Sequence, residues 1–417
     1  MAHSRPARRR YELALWIDRR VGPALCALVL AARRLLRPRR DASSEPVRKV
    51  LVLKFWGMGS IVLATPLLER LRARYPKARI DFVTLRENEA LLSLLPGVDR
   101  IVPLDLSRGA PRFLIETVRT LRALRRERYD LLLDLEFFTR FSAIFSFLTR
   151  ARRSHGFSAK GSWRGRLHDV ELPFNAYCHV ASNFETLLHG DPMVAARQQG
   201  PRLPRLAAPE EAWRRCREKL AAEPGWRGAR PLVAVNPNAG DMALERRWPL
   251  ERSAELLGRL CRERDVDVVL IGAPGERTFV DSVAAASGAP ESLLNLAGRI
   301  DVAELVALLE HADLLVTNDS GPMHIAAATG TPVVALFGPE TPALYAPLRA
   351  RDGQEHRVHY LGLACSPCMF VHDNKVLSCW FAQARCMTGI EATSVLASVD
   401  ALLAPPAPRA RLRAIDS

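Results

Sequence analysis

The chain has 417 residues, 48% hydrophobic and 25% charged, enough to bury two or three domain cores. It is not the composition of a disordered, collagen-like or small disulfide-stapled protein. The net charge of +15 is uneven: residues 1–40 hold eleven Arg against Glu12 and Asp18, or +9, which argues against a uniformly basic nucleic-acid-binding coat and leaves nucleic acid out of the expected partners.

The leader runs basic, apolar, basic. Arg8-Arg9-Arg10 and Arg19-Arg20 precede the uncharged stretch 21–32, and Arg33-Arg34 follows it. This stretch is shorter than the ~20 residues that span a bilayer, and arginines stand where a signal-cleavage site needs small residues. Residues 1–46 therefore read as a membrane-surface leader whose Trp16 and arginines meet an anionic inner-membrane surface. The alternative is an extra N-terminal helix packed on the body. Gly22-Pro23 is expected to interrupt any helix near its start.

Strands then alternate with helices. Continuous apolar runs predict strands at 50–53, 80–85, 100–104 and 130–135, with helices over 61–71, 88–95 and 113–128. Residues 47–200 form a first Rossmann-like domain. The Pro-, Ala- and Arg-rich segment 201–230 reads as a linker carrying one helix near 212–220. A second domain, 231–390, places strands at 232–236, 266–271, 314–316 and 333–336. Its helices are expected at 250–264, 276–286, 302–311 and 321–329, and 391–417 forms a C-terminal helix and tail. The expected class is α/β, with two doubly wound sheets facing a cleft that takes ligand beyond the strand C-termini.

Several turns at strand ends are fit for chemistry. Gly57-Met58-Gly59-Ser60 lacks the third glycine of a dinucleotide fingerprint and the Gly-Lys-Ser/Thr of a phosphate loop. Gly57 and Gly59 nevertheless let a ligand approach the backbone, on what would be the acceptor side. Asn238 follows a strand, and Arg246-Arg247 stand beside a helix start, where guanidiniums can hold a diphosphate. Glu276 ends another strand and can accept from ribose hydroxyls. In Asn318-Asp319-Ser320-Gly321-Pro322-Met323-His324 the free N–H groups of a helix start would face an anion, with Ser320 and His324 as donors.

Together, residues 50–71, Arg246-Arg247-Trp248-Pro249, Asn318 to His324 and Phe337-Gly338-Pro339-Glu340-Thr341-Pro342 resemble glycosyltransferase family 9, the lipopolysaccharide heptosyltransferase group. The resemblance covers roughly 48–395. It implies a GT-B fold and inverting, metal-independent sugar transfer. An ADP-heptose-like nucleotide sugar would be the donor and a lipid A–core-type glycolipid the acceptor, at the inner face of the inner membrane. By position, Arg246 matches the family's diphosphate-binding residue and Glu276 its nucleoside-contacting acid. Asp319, Gly321 and His324 match the motif that holds diphosphate and sugar. The family places its catalytic aspartate where this chain has Ser60, and a serine hydroxyl needs a partner to accept a proton. Glu136, just past a strand end in the same domain, is the candidate base. The alternative function is a nucleotide-sugar-binding accessory protein that has lost its base.

Four of the eight cysteines cluster in sequence: Cys365, Cys368, Cys379 and Cys386. The first pair has metal-ligand spacing, so a structural zinc held by four thiolates is one expectation and free thiols in a lid the other. No cofactor is expected for catalysis.

Overall fold

The computed structural model describes residues 16–404 except 34–45, 108, 160, 192, 194–199, 241–242, 351–353 and 370–378. Arg8 to Arg10 of the leader and the C-terminal tail lie outside the described residues. The first sheet comprises β1 (Lys49–Leu53), β2 (Arg79–Leu85), β3 (Arg100–Leu104), β4 (Leu131–Asp134), β5 (Arg153–Ser158) and β6 (Val170–Pro173). All its pairings are parallel, in the order β3-β2-β1-β4-β5-β6. The second comprises β7 (Leu232–Asn236), β8 (Asp267–Leu270), β9 (Leu293–Asn295), β10 (Leu314–Asn318), β11 (Val333–Phe337) and β12 (His356–Tyr360). It repeats the order, read from its other edge, as β9-β8-β7-β10-β11-β12. Each sheet reverses direction once, between β1 and β4 and between β7 and β10, and the crevice of a doubly wound sheet opens there.

Burial explains the central strands. Val50 to Leu53 and Val333 to Ala335 have no exposed surface, as expected of parallel strands covered on both faces. Strands β5, β6, β9 and β12, and the helices Arg140–Thr149 and Val180–His189, are additions to the sequence reading. The helix expected over 61–71 is two, Met58–Val62 and Thr65–Arg74. Pro66 stands in the first turn of the second, where its missing N–H costs nothing.

Residues 201–230 are not a free linker. The helix Glu210–Ala221 packs on Val302–His311, Trp213 stacks on His311 with ring centroids 3.8 Å apart, and Lys219 Nζ bonds Glu304 at 2.7 Å. This segment belongs to the second domain. The C-terminal helix Ala392–Leu403 also packs there, against Leu250–Glu263.

The leader is likewise part of the body. Residues 16–20 are helical, the helix breaks at Val21, and Gly22-Pro23 opens a new helix, Gly22–Ala31, with Pro23 in its first turn, so the expected interruption falls there. Asp18 Oδ1 accepts from the N–H groups of Arg140 at 2.8 Å and Phe141 at 2.9 Å, satisfying donors that the helix Arg140–Thr149 leaves open. Cys26 is fully buried against Ala143, Phe147 and Leu167. The alternative of a packed N-terminal helix thus describes residues 16–33.

Candidate functional site

The turns after the four switch-point strands β1, β4, β7 and β10 build the site. After β10, Asn318 is buried and spends its whole amide on structure. Its Nδ2 donates to the carbonyls of Pro237 at 3.0 Å and Asn238 at 3.1 Å, while its Oδ1 accepts from the Trp248 N–H at 3.1 Å. One side chain therefore ties three turns together. Arg246 ties the same turns from outside: Nη1 donates to the Asp319 carbonyl at 2.9 Å and to Asp319 Oδ2 at 3.2 Å, and Nη2 to the Ala239 carbonyl at 2.5 Å. Arg246 is thus a clamp on the loops around the expected diphosphate position. Its Nε has no hydrogen-bond partner among the described residues.

Asn238 lies in this frame with no exposed surface, and neither Oδ1 nor Nδ2 of its amide has a partner among the described residues. A buried amide left unpaired costs about 1–3 kcal/mol, so a polar ligand in this turn would recover that cost. Gly272 lies close by, since a Cβ there would stand 3.1 Å from Asn238 Nδ2. Glu276 Oε2 accepts from the Ala273 N–H at 2.8 Å, which caps its own turn. The Arg247 guanidinium sits 3.9 Å over the Phe279 ring. Ser320 Oγ accepts from Asn236 Nδ2 at 3.2 Å and lies 2.9 Å from Thr317 Oγ1.

The two domains meet at this point. Gly59 faces the start of the helix Gly321–Thr329 so closely that a Cβ on it would lie 2.4 Å from His324 Cδ2 and 3.4 Å from Gly321 Cα. Here the glycine is required by close approach, and Gly57 by its φ of +86°. His324 is buried, which pushes its pKa down to about 3 despite the nearby Asp319, and its Nδ1 has no partner among the described residues. It is therefore a neutral imidazole and too weak a base to take a hydroxyl proton efficiently at neutral pH. A second interdomain link is His179. Its Nδ1 accepts from the Ala181 N–H at 3.2 Å, so Nε2 carries the proton and donates to the Ala346 carbonyl at 3.0 Å.

On the first-domain side, Glu136 is fully buried. Its Oε1 accepts from Lys54 Nζ at 2.9 Å and from the N–H groups of Phe55 at 2.8 Å and Trp56 at 3.0 Å. Oε2 has no partner among the described residues. Glu136 thus fixes the turn that leads into Gly57 and Ser60. Ser60 is half-buried, its Oγ beside Gly57. Beneath Glu136 lies a buried network that sequence reading missed: Asp134 bonds Arg164, Ser142 Oγ at 3.1 Å and His168 Nε2 at 3.1 Å, and its Oδ1 accepts from the Glu136 N–H at 3.0 Å. The available signal was the pair of charges, Lys54 and Asp134, at the ends of otherwise apolar runs.

Cys365, Cys368, Cys379 and Cys386 line one small pocket with Glu245 and Pro339. Burial, then the neighbouring thiols, push Cys386 up to about 11, and the same causes raise Cys368. The pocket gathers the four sulfurs that zinc would need. As folded, however, no group of three or more His, Cys, Asp or Glu among the described residues is arranged to hold a metal ion.

Comparison with known proteins agrees with this architecture. The model of glycosyltransferase family 9 (heptosyltransferase) matches residues 117–372. Lipopolysaccharide heptosyltransferase 2 of Salmonella typhimurium is 30% identical over 307 residues, covering 72% of this chain and 85% of the relative. Lipopolysaccharide heptosyltransferase 3 of Escherichia coli is 27% identical over 289 residues, covering 67% and 80%. The solved E. coli ADP-heptose lipopolysaccharide heptosyltransferase II superposes with a TM-score of 0.68 at 25% identity, over 85% of this chain and 98% of that one. A family 9 glycosyl transferase from Veillonella parvula gives the same TM-score at 22% identity, over 87% and 99%. Two doubly wound sheets of matching strand order, meeting near their switch points, are thus the GT-B arrangement, and the chain belongs to glycosyltransferase family 9, the heptosyltransferase family.

Proposed function

We propose that this glycosyltransferase moves a heptose or related sugar, with inversion, from an ADP-heptose-like donor to a lipopolysaccharide-core or related envelope glycolipid. The reaction would run at the cytoplasmic face of the inner membrane. The observation that carries the donor side is the buried side-chain amide of Asn238, which has no partner among the described residues, within loops clamped by Asn318 and Arg246. A nucleotide sugar offers that amide both an acceptor and a donor. The relatives' heptosyltransferase names support the sugar and the acceptor class.

On the acceptor side we assign proton removal to Glu136. Lys54 and two backbone amides orient it through Oε1, and Oε2 is the oxygen left to take a proton. The neutral His324 holds donor atoms by hydrogen bonding and leaves the base role to a carboxylate.

Calorimetry with ADP, UDP, GDP and ADP-heptose tests the donor side. ADP and ADP-heptose should bind, and Asn238→Ala should weaken them about tenfold, the loss of roughly one buried hydrogen bond. Failure of all four nucleotides to bind would remove the reading. Donor binding without any sugar transfer would point to the accessory protein that Ser60 suggests. Transfer should persist in chelator, and metal analysis of the same sample decides whether Cys365, Cys368, Cys379 and Cys386 hold a structural zinc.

A further inference from the structure

In the first sheet the connections β3 to β4 and β4 to β5 cross in the same direction. Right-handed crossovers therefore put their helices, Ala110–Glu127 and Arg140–Thr149, on one face of the sheet. Each of these packs side by side with the next, and the leader helix Gly22–Ala31 lies against Arg140–Thr149 in turn. The outer layer of this face is thus three adjacent helices.

Their outward side chains are apolar. The leader helix, GPALCALVLA, has no polar side at all. One side buries Cys26 against Ala143 and Phe147, while Val21, Leu25 and Leu28 on the other side are exposed, Leu28 at 67%. The middle helix adds the half-buried Phe141, Ile144 and Leu148 at helical spacing. The third helix adds Leu114, 63% exposed, with Ile115 and Val118. A helix apolar all round belongs in an apolar environment, and here only half of its circumference has one. No helix among the described residues is long and apolar enough to cross a membrane.

The rim is cationic. Arg119, Arg122 and Arg126 continue the exposed side of the third helix, and Arg150 ends the middle one. Arg125 Nε donates to the Leu148 carbonyl at 2.6 Å. Burial, and then the nearby Arg150 and Arg122, hold its pKa below the usual arginine value, so three guanidiniums crowd one end of the face. The acids nearby face elsewhere: Glu127 is engaged by Lys49, Arg79 and Arg100, and Glu116 stands near Arg86.

We propose that this three-helix face is the docking surface for a bilayer containing anionic phospholipid. The leader helix lies along the membrane plane, Leu25, Leu28, Leu114 and Ile115 enter the boundary between headgroups and acyl chains, and the arginine rim sits on lipid phosphates. The surface requires neither the donor nor the acceptor assigned above, and its assay contains no nucleotide or sugar, so either reading can fail alone.

The test is sedimentation of the full chain with vesicles of phosphatidylcholine alone and of phosphatidylcholine mixed with phosphatidylglycerol. Binding should require phosphatidylglycerol and weaken as salt rises. Leu28→Asp combined with Ile115→Asp should lower partitioning at least about tenfold, and Arg122→Gln with Arg126→Gln about fivefold per arginine. Melting curves check that these surface variants fold. Quenching by brominated lipid, taken as the difference between wild type and Trp16→Phe, reads the leader's depth without altering the apolar face. Absence of that Trp16 quenching, or equal binding to neutral vesicles, would overturn the proposal. So would light scattering that shows a dimer abolished by the Leu28 and Ile115 changes while lipid binding persists, because a second copy of the chain would then be the occupant.

Discussion

Glu136 has two duties that a single substitution separates only if stability is read with activity. Removing the carboxylate charge by Glu136→Gln leaves Lys54 buried beside a neutral amide, and breaking a buried ion pair costs about 3–5 kcal/mol. A fall in turnover by itself would therefore not show base loss. In Lys54→Met with Glu136→Gln the buried ammonium is gone as well, so melting should recover while turnover stays down by roughly 10²–10⁴-fold at unchanged ADP-heptose affinity. Recovery of both would make Glu136 a positioning residue and return the question to Ser60, where Ser60→Asp should then raise transfer. At this scale residue types were legible and their partners were not. Arg246 was recognisable as a basic residue near the donor, but nothing in Glu245-Arg246-Arg247 shows that the first arginine is held by Asp319 and Ala239. Arg246→Ala is consequently expected to loosen the loops as well as weaken binding. Asn318 and Asn238 look alike in sequence, and only the fold decides that the side-chain amide of one is saturated with hydrogen bonds while that of the other has no partner among the described residues.

Elements were legible where burial made their pattern unambiguous. β1, β7, β10 and β11 sit at sheet centres, covered on both faces, and their apolar runs declare it. β5 (RSHGFS), β6 (VELP) and β12 (HRVHY) lie toward sheet edges, where one side meets solvent or a polar network and the run disappears. β9 is missed for a different reason, being only three residues long. The leader shows the limit of reasoning from charge. Its arginines pointed to the membrane, but nothing in the sequence reports that Asp18 reaches the start of a helix more than a hundred positions away. This changes what truncation should do. Deleting residues 1–46 removes that cap and uncovers Ala143, Phe147 and Leu167, so the truncated chain should aggregate and not simply lose membrane affinity. Asp18→Ala is the gentler probe. It should destabilise the full chain by about 1–2 kcal/mol, the worth of a lost N-cap, measured by denaturant unfolding. A change near zero would mean that the leader docks without the cap.

At the scale of the whole molecule, the two sheets are held in register by contacts that include two histidines kept neutral, and this makes the closed arrangement sensitive to acid. Burial lowers His324 from the ordinary 6.5 to about 3 and His179 to about 4. Above pH 6.5 both are neutral whether the domains are folded together or not, so their contribution is fully present. As pH falls below 6.5, the unfolded chain binds protons that the folded one refuses. Stability is then lost progressively down toward pH 4. At pH 5.5 the loss is roughly 1 kcal/mol per histidine. His168 works in the opposite sense, since the Asp134 carboxylate outweighs its burial and holds its pKa above the ordinary value. The wild-type curve alone would therefore mix the two signs. The discriminating quantity is the difference between wild type and His179→Gln in unfolding free energy at pH 7.5 and pH 5.5. Glutamine keeps an N–H that can reach the Ala346 carbonyl but takes no proton, so the variant should lose about 1 kcal/mol less on acidification. Parallel curves for the two proteins would show that His179 binds its proton as readily in the folded chain as in the unfolded one, and would leave His324 as the depressed histidine at the domain interface.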